Sequence, residues 1–339
     1  MIKFIGDKLP YFFIRMSPIN FGDEYIMSEI NQIRELLHQK ADLQARINLM
    51  PYDGTPEVKI QGDKQYLYMR KRVGGKKTST YVDVYSETLY QLLLKNSRER
   101  RELEKNIRKI DRELLALGYM EEDIEPRVQK NLDFARINMK NNIYDQAILE
   151  GVATSFPQTE EIIENGIVNG MSADDVQKIL NLKHAWEFIL DKDVIRSKSD
   201  YYLLCHIAKQ VNEGFFTDGG RIRGVPVTIG GCSYIPPLPI EMDVKDRINE
   251  IVCQTGEDTV DTAIRLCLYC MKTQIFLDGN KRSSVIFANH YLISKGQGIL
   301  IIPEKAVPEF KKLLVKYYES DDLNEISLFM KKECWKNFE

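Results

Sequence analysis

The chain has 339 residues, 43% of them hydrophobic and 29% charged, with a formal net charge of −3. That is ample chain to bury a core, about two folding units' worth, and the charge excludes a global basic excess that would draw the chain to nucleic acid or membrane, leaving only local patches. No stretch approaches the roughly 18 apolar residues of a membrane span. The opening MIKFIGDKLPYFFIRMSP has neither a long uncharged core nor a small-residue cleavage site, so it does not read as a signal peptide, and a cytoplasmic setting with no membrane partner is expected.

Residues 1–120 read as a helical arm. Ile26, Ile30, Ile33 and Leu37 recur at spacings of four, three and four, a helical stripe. MPYDGTPE then breaks the helix with Pro and Gly. KQYLYMRKRVGGKKTSTYVDVY alternates Tyr and Val with charged residues on both sides of Gly74-Gly75, the pattern of a β-hairpin. Leu103, Ile107, Ile110, Leu114 and Leu117 form a second four-three stripe. Two helices side by side, with a small hairpin at one end, are predicted; the stripe also suits a homodimer. The basic residues Arg70, Lys71, Arg72, Lys76 and Lys77 read as a solvated arm or protein contact, ahead of a nucleic-acid site.

Residues 121–195 read as mostly helix. NNIYDQAILEG ends at Glu150 and Gly151, a common helix C-terminus. SADDVQKILNLKHAWEFILDK begins with Ser172 as cap and Asp174-Asp175 in the first turn, where acids favour the dipole. Residues 196–335 are helical except for RIRGVPVTIGGCSYIPP. There Val225, Val227 and Ile229 alternate before Gly230-Gly231, the pattern of a short hairpin or flap with an open backbone edge. Cys267 and Cys270 form CxxC inside an apolar helical pattern; with no second pair or His set at ligand spacing they read as buried thiols. His206 and His290 read as structural, and His38 and His184 sit on helical segments with no partner set.

The chemistry gathers in TQIFLDGNKRSS, residues 273–284. Val260, Ile264, Leu268 and Met271 before it, and Val285, Ala288, Leu292 and Ile293 after it, make the layout helix, tight loop, helix. The second helix begins near Asn280 to Arg282, so its free N–H groups and positive dipole end face the loop, an anion site. Gly279 lets a phosphate approach the backbone. Asn280 can donate to a phosphate oxygen, and Arg282 can grip one with its fork of donors. Asp278 is the hard oxygen ligand that nucleotide-borne Mg²⁺ prefers, and Phe276 anchors the loop in the core. A plain helix–turn–helix connection with surface charges fits the same residues.

The segment resembles the signature of the Fic/Doc (Fido) family, His-x-Phe-x-Asp/Glu-Gly-Asn-Gly/Lys-Arg, matched by Phe276, Asp278, Gly279, Asn280, Lys281 and Arg282. YYLLCHIAKQV, the flap, DDVQKILNLKHAWEFIL and the closing segment from ISKGQGIL to ISLFM extend the resemblance over residues 140–335. It implies a mainly α fold, a Fic-like helical bundle with a short β-hairpin flap over 196–335; the helical region over 121–195 and the helical arm with its small β-hairpin over 1–120 are read from their own residue patterns, and the arm lies outside the resemblance. The resemblance also implies ATP or another nucleotide bound by Gly279, Asn280, Lys281 and Arg282, with Mg²⁺ on Asp278. The implied reaction moves AMP or phosphate to a Ser, Thr or Tyr hydroxyl of a protein aligned along the flap by backbone pairing. Lys281 leans toward phosphate and Gly279 toward AMP, so the transferred group stays open.

Three departures follow. Gln274 stands where the family has its catalytic His, and an amide cannot accept a proton; losing a general base costs roughly 10²–10⁴-fold. The expectation is therefore a transferase of reduced activity, with a catalytically inactive nucleotide-binding or protein-interaction module as the alternative. Val285 replaces a second Arg common in AMP-transferring members. QAILEG resembles the inhibitory helix of one Fic class, Ser/Thr-x-x-x-Glu-Gly, with Gln146 in place of Ser or Thr. Glu150 and Gly151 are thus regulatory candidates, and Glu150, lacking its usual partner, is left to pair with Arg282 or to act as the missing base.

Overall fold

A computed structural model describes residues 23–121, 123–166, 170–254, 256 and 258–338. The leader reading of residues 1–18 lies outside the described residues, as does the side chain of Ile26. The arm opens with α1 (Asp23–Leu49), followed by β1 (Thr55–Gln61), β2 (Lys64–Val73), β3 (Lys76–Val84) and α2 (Glu87–Ala116). Leu36 and Leu37 of α1 pack on Ile110 and Leu114 of α2, so the two stripes meet as expected. The β2–β3 hairpin turns at Gly74-Gly75, as its sequence predicts.

One strand went unread. β1 pairs antiparallel with β2 and completes a three-stranded sheet. Pro56 made this stretch look like a turn, but at a sheet edge proline costs no ladder bond. Of its apolar side chains Pro56 is buried, but Val58 and Ile60 lie beyond the cover of α2, with Ile60 70% exposed. Gly54 is obligatory at the entry: a Cβ there would sit 2.5 Å from the Arg70 carbonyl oxygen, at a φ of +118°. Leu67 and Met69 on the inner face pack on Leu93 of α2.

The remaining helices are α3 (Pro126–Ile137), α4 (Met139–Leu149), α5 (Phe156–Asn165), α6 (Ala173–Ile189), α7 (Lys192–Ile195), α8 (Tyr201–Val211), α9 (Glu241–Cys253), α10 (Thr259–Thr273), α11 (Asn280–Ser294), α12 (Val307–Ser320) and α13 (Asn324–Phe329). Ser172 caps α6 by accepting from the Asp175 N–H, as predicted. A two-stranded ribbon, β4 (Ile299–Leu300) with β5 (Trp335–Lys336), ties the end of the chain back to the residues after α11. One continuous core runs from Ala41 of α1 to Cys334. α11 sits at its centre, buried from Arg282 to Ile293, which explains a helix with no polar face. Cys267 and Cys270 are buried free thiols, as read from CxxC. Among the described residues no helix is long and apolar enough to cross a membrane.

The arm is bolted to this core. Arg34 of α1 bonds Asp200 at 2.7 Å, and Asp200 also caps the start of α8. At the other end of α8, Arg46 reaches Glu213 at 2.9 Å.

The expected flap hairpin is not a hairpin. Residues 212–240 contain no strand, and between residues 222 and 240 the Cys232 N–H to Ile229 carbonyl contact is a turn bond, with no ladder beside it. Pro226, Pro236 and Pro237 withhold ladder donors. Arg223 takes the place of a ladder: its guanidinium donates to the carbonyls of Val225, Pro236 and Pro237 at 2.8, 3.2 and 2.6 Å.

Candidate functional site

Two helices meet at the signature loop. α10 stops at Gln274, which adopts a left-handed backbone, φ 48° and ψ 59°, a conformation that costs a non-glycine residue about 1 kcal/mol or more. The surroundings hold it there. The Gln274 carbonyl accepts from Arg223 Nε at 2.5 Å, and the Arg223 N–H donates to the Ile275 carbonyl at 2.9 Å. The Gln274 side-chain amide turns back, donating to the Met271 carbonyl at 2.7 Å and accepting from Asn280 Nδ2 at 3.1 Å.

Asn280 closes the loop from the other side. Its Oδ1 accepts from the Phe276 N–H at 2.9 Å and its Nδ2 donates to the Phe276 carbonyl at 2.8 Å, while the Phe276 ring is buried as expected. The amide expected to face a phosphate is thus occupied inside the loop. What this position offers an anion is the backbone N–H at the start of α11. Gly279 has φ 75°, and a Cβ there would lie 2.8 Å from Asn212 Oδ1. Asn212 in turn donates to the Asp278 carbonyl at 2.9 Å, so glycine is required for both angle and space.

Arg282 is buried in the first turn of α11. It donates to the Val211 carbonyl at 3.0 Å and to Asp278 Oδ2 at 2.8 Å. Its Nε lies 3.8 Å from Glu150 Oε2, and Lys281 Nζ lies 3.6 Å from Glu150 Oε1. Glu150 caps α4 and keeps 12% of its side chain exposed. Among the described residues neither Glu150 Oε1 nor Arg282 Nε has a hydrogen-bond partner. Gly151, φ 77°, lets the chain leave α4 in a Schellman turn: its N–H bonds the Ile148 carbonyl, and the Val152 N–H bonds the Ala147 carbonyl. Gln146, one turn before Glu150, donates to the Arg282 carbonyl at 2.8 Å and accepts from the Trp186 indole at 3.1 Å. α4 is therefore registered directly on the anion site.

Asp278 is half-exposed at the rim. Among the described residues no group of three or more His, Cys, Asp or Glu can hold a metal alone. A lone carboxylate fits Mg²⁺ that arrives with phosphate oxygens and water as its other ligands. The loop thus gathers Gln274, Asp278, Gly279, Asn280, Lys281, Arg282 and Glu150, with Val225, Val227 and Ile229 on the neighbouring flap. Arg223, which joins flap to loop, was missed: nothing in RIRGVP separates it from a surface arginine.

His184 also corrects the sequence reading, since it has partners after all. Its ring nitrogens lie 3.1 Å from Asp42 Oδ1 and 3.3 Å from Glu213 Oε2, ion-pair contacts that miss hydrogen-bond geometry. Asp42 also accepts from Gln210 at 2.8 Å. Burial works to lower the His184 pKa, but the two carboxylates outweigh it and raise it. Burial works to raise Asp42, but His184, His206 and Gln210 hold it well below the usual carboxylate range. His206 stacks on Phe188 at 4.4 Å, and His38 contacts Ser197 at 3.2 Å. His290 bridges Ser199 and the Val194 carbonyl. The Asp42 cluster adjoins Val211 and Asn212, which support Arg282 and Gly279.

Residues 198–292 match the model of the Fic/DOC family, and residues 28–91 match a domain of unknown function, DUF6788. The protein adenylyltransferase Fic of Drosophila willistoni is 26% identical over 190 residues, 53% of this chain and 37% of that protein. Its counterpart in Drosophila grimshawi is 25% identical over 189 residues, 53% and 38% respectively. The matched stretch is little over a third of these relatives' length. A solved form of Fic-1 from C. elegans covers 73% of this chain and 74% of its own at 18% identity, with a TM-score of 0.51, a similarity of fold alone.

Proposed function

We propose that this chain, whose residues 198–292 match the Fic/DOC family, is a Fic-type transferase that binds a nucleotide at the start of α11 and transfers AMP or phosphate to a protein hydroxyl at reduced rate. The observation that carries this reading is the buried, unmatched pair Arg282 Nε and Glu150 Oε1 at a helix N-terminus. Buried polar groups are nearly always bonded, and an anion seated on Arg282 in place of Glu150 satisfies the donor. ATP is the nucleotide by family analogy. Mg²⁺ carried with it neutralises charge on the phosphate oxygens, and Asp278 is the carboxylate that would hold it.

The bond formed joins the hydroxyl oxygen to the α- or γ-phosphorus, and pyrophosphate or ADP leaves. Arg282, Lys281 and the α11 N–H groups stabilise charge on the phosphates. The flap, held to the loop by Arg223, positions the protein segment along Val225, Val227 and Ile229. The hydroxyl proton leaves to solvent water, since Gln274, whose amide is bonded to Met271 and Asn280, cannot take it. That bonding favours the second reading, a nucleotide-binding module without turnover.

Incubation of the full chain with α- and γ-labelled ATP in a cell lysate separates the two. Label from the α-position means AMP transfer, and label from the γ-position alone means phosphate transfer. ATP binding by calorimetry without label supports the binding module. Neither binding nor label refutes both.

A further inference from the structure

The arm carries a second concave site, far in sequence from the loop. The stem of the β2–β3 hairpin, residues 53–55 and the middle of α2 enclose a cleft of about 480 Å³. Arg70, Lys71, Arg72, Lys77, Arg100 and Arg101 line it, against the acids Asp53 and Glu104. Residues 55–84 hold seven Lys and Arg against three Asp and Glu, a positive island on a chain of net charge −3.

The acids do not neutralise this island. Asp53 lies 3.6 Å from Lys71 and 3.9 Å from Arg100, and Glu57 lies 3.8 Å from Arg70. The Lys71 and Arg70 pairs are long, substantially exposed and of little strength, and the contact to the mostly buried Arg100 is longer still. Arg72 and Lys77, paired across the hairpin, have no ion-pair partner among the described residues. Among the described residues Arg100 Nε is buried with no hydrogen-bond partner, while its Nη2 donates to the Ile47 and Met50 carbonyls at 3.2 Å each.

Aromatic rings occupy the sheet face that points away from α2, the face that Arg70 and Arg72 share. Alternate residues of a strand share a face, so Tyr66, Tyr68, Arg70 and Arg72 form one row on β2. Tyr81 of β3 joins them, its ring 6.2 Å from Tyr66 and 5.6 Å from Tyr68, and it is 50% exposed. Lys59 lies 4.3 Å above the Tyr68 ring. This outer face has no element packed on it, because Leu67 and Met69 take the other face to α2.

A polyanion whose backbone follows the cations while flat groups lie on the tyrosines fits both features. We infer that the arm binds single-stranded nucleic acid, with phosphates along Arg70, Arg72 and Lys77 and bases stacked on Tyr66, Tyr68 and Tyr81 of the same sheet face. Unstacked bases offer π-faces that a duplex hides, and ring stacking tolerates any sequence. The negative charge of the chain as a whole confines the contact to this face.

The test is fluorescence anisotropy of the full chain with a labelled oligothymidylate of about 20 nucleotides, a duplex of equal length, and polyglutamate as competitor. The oligothymidylate binds more tightly than the duplex. Its log affinity falls with log salt at a slope of roughly −3 if about four phosphates are neutralised. The Arg72→Glu, Lys77→Glu double variant loses at least about tenfold, and Tyr81→Ala loses about tenfold for the single strand alone. All three positions are exposed, and an unchanged melting curve confirms folding. No binding at low salt, equal binding of the duplex with Tyr81→Ala silent, or equal displacement by polyglutamate overturns the inference. ATP binding at the loop is unaffected by these variants, so this result and that of the nucleotide assay stand apart.

Discussion

Glu150 faces Arg282 across 3.8 Å, and the two groups leave each other unsatisfied: the carboxylate Oε1 and the guanidinium Nε are both buried without a hydrogen bond. The contact holds α4 over the start of α11 while remaining replaceable by a better-shaped anion. Glu150→Gln removes the competing charge and keeps the shape. ATP affinity by calorimetry should rise about tenfold, equivalent to about 1.4 kcal/mol. An unchanged or weaker affinity would remove Glu150 from the anion site.

Arg282→Ala would leave Glu150 and Asp278 short of a partner and can unfold the region, since stripping one member of a buried pair costs about 3–5 kcal/mol. Arg282→Lys is the cleaner change. It keeps the charge and loses the fork that spans the Val211 carbonyl and Asp278. ATP affinity should fall at least about tenfold, because a point charge does not replace bidentate grip. Affinity within twofold of the parent, on a folded sample, would contradict the proposed function.

Gln274→His restores a group able to accept the hydroxyl proton. If the chain is a slow transferase, label from ATP should rise by roughly 10²-fold, the low end for a general base. If labelling is absent before and after the change, turnover fails for another reason and the binding module stands.

Arg223→Met removes the donors that gather the flap. Hydrogen exchange across residues 225–235 should accelerate while α10 and α11 keep their protection, since the loop retains its Asn280 bonds. Labelling of a protein target should drop with ATP affinity within about twofold, because Arg223 touches only carbonyls of the flap and of Gln274. Unchanged exchange would mean that the flap is held by something else.

Stability should form a dome in pH with its crest near neutrality. Burial holds the His290 pKa down at about 4, and burial with nearby cationic rings holds His38 at about 3. For a depressed histidine the stabilisation is whole above its ordinary 6.5 and is lost as pH falls, about 1.4 kcal/mol per pH unit for a fully buried group such as His290. His184 works oppositely. Its raised pKa gives stabilisation that is whole below 6.5 and is lost as pH rises through the folded value. Urea midpoints at pH 5, 6.5 and 8.5 should show both slopes. His290→Gln should flatten the acid side and His184→Gln the alkaline side; a flat parent profile would refute the assignment.

The helices were legible because their stripes are regular: Leu37 joins Ile110 and Leu114 in one cluster, as the four-three spacing says. The loop was legible because Gly279 and Asn280 have few alternatives at a helix start. What escaped the sequence depends on distant partners. Arg223 grips carbonyls up to fifty-one positions away, and His184 finds Asp42 and Glu213 only once three helices have packed. The alternation in the flap was real, but alternation marks extended backbone, and whether a neighbouring strand exists is a tertiary matter. β1 was hidden by the opposite effect, a proline that an outer strand tolerates.

α8 is gripped by α1 at both ends, through Arg34 at its first turn and Arg46 just past its last. Its final carbonyl, at Val211, is the one that holds Arg282. α1 thus lies as a splint along an 11-residue rod, and the guanidinium of Arg282 rests on the last carbonyl of a helix that the arm pins at both ends.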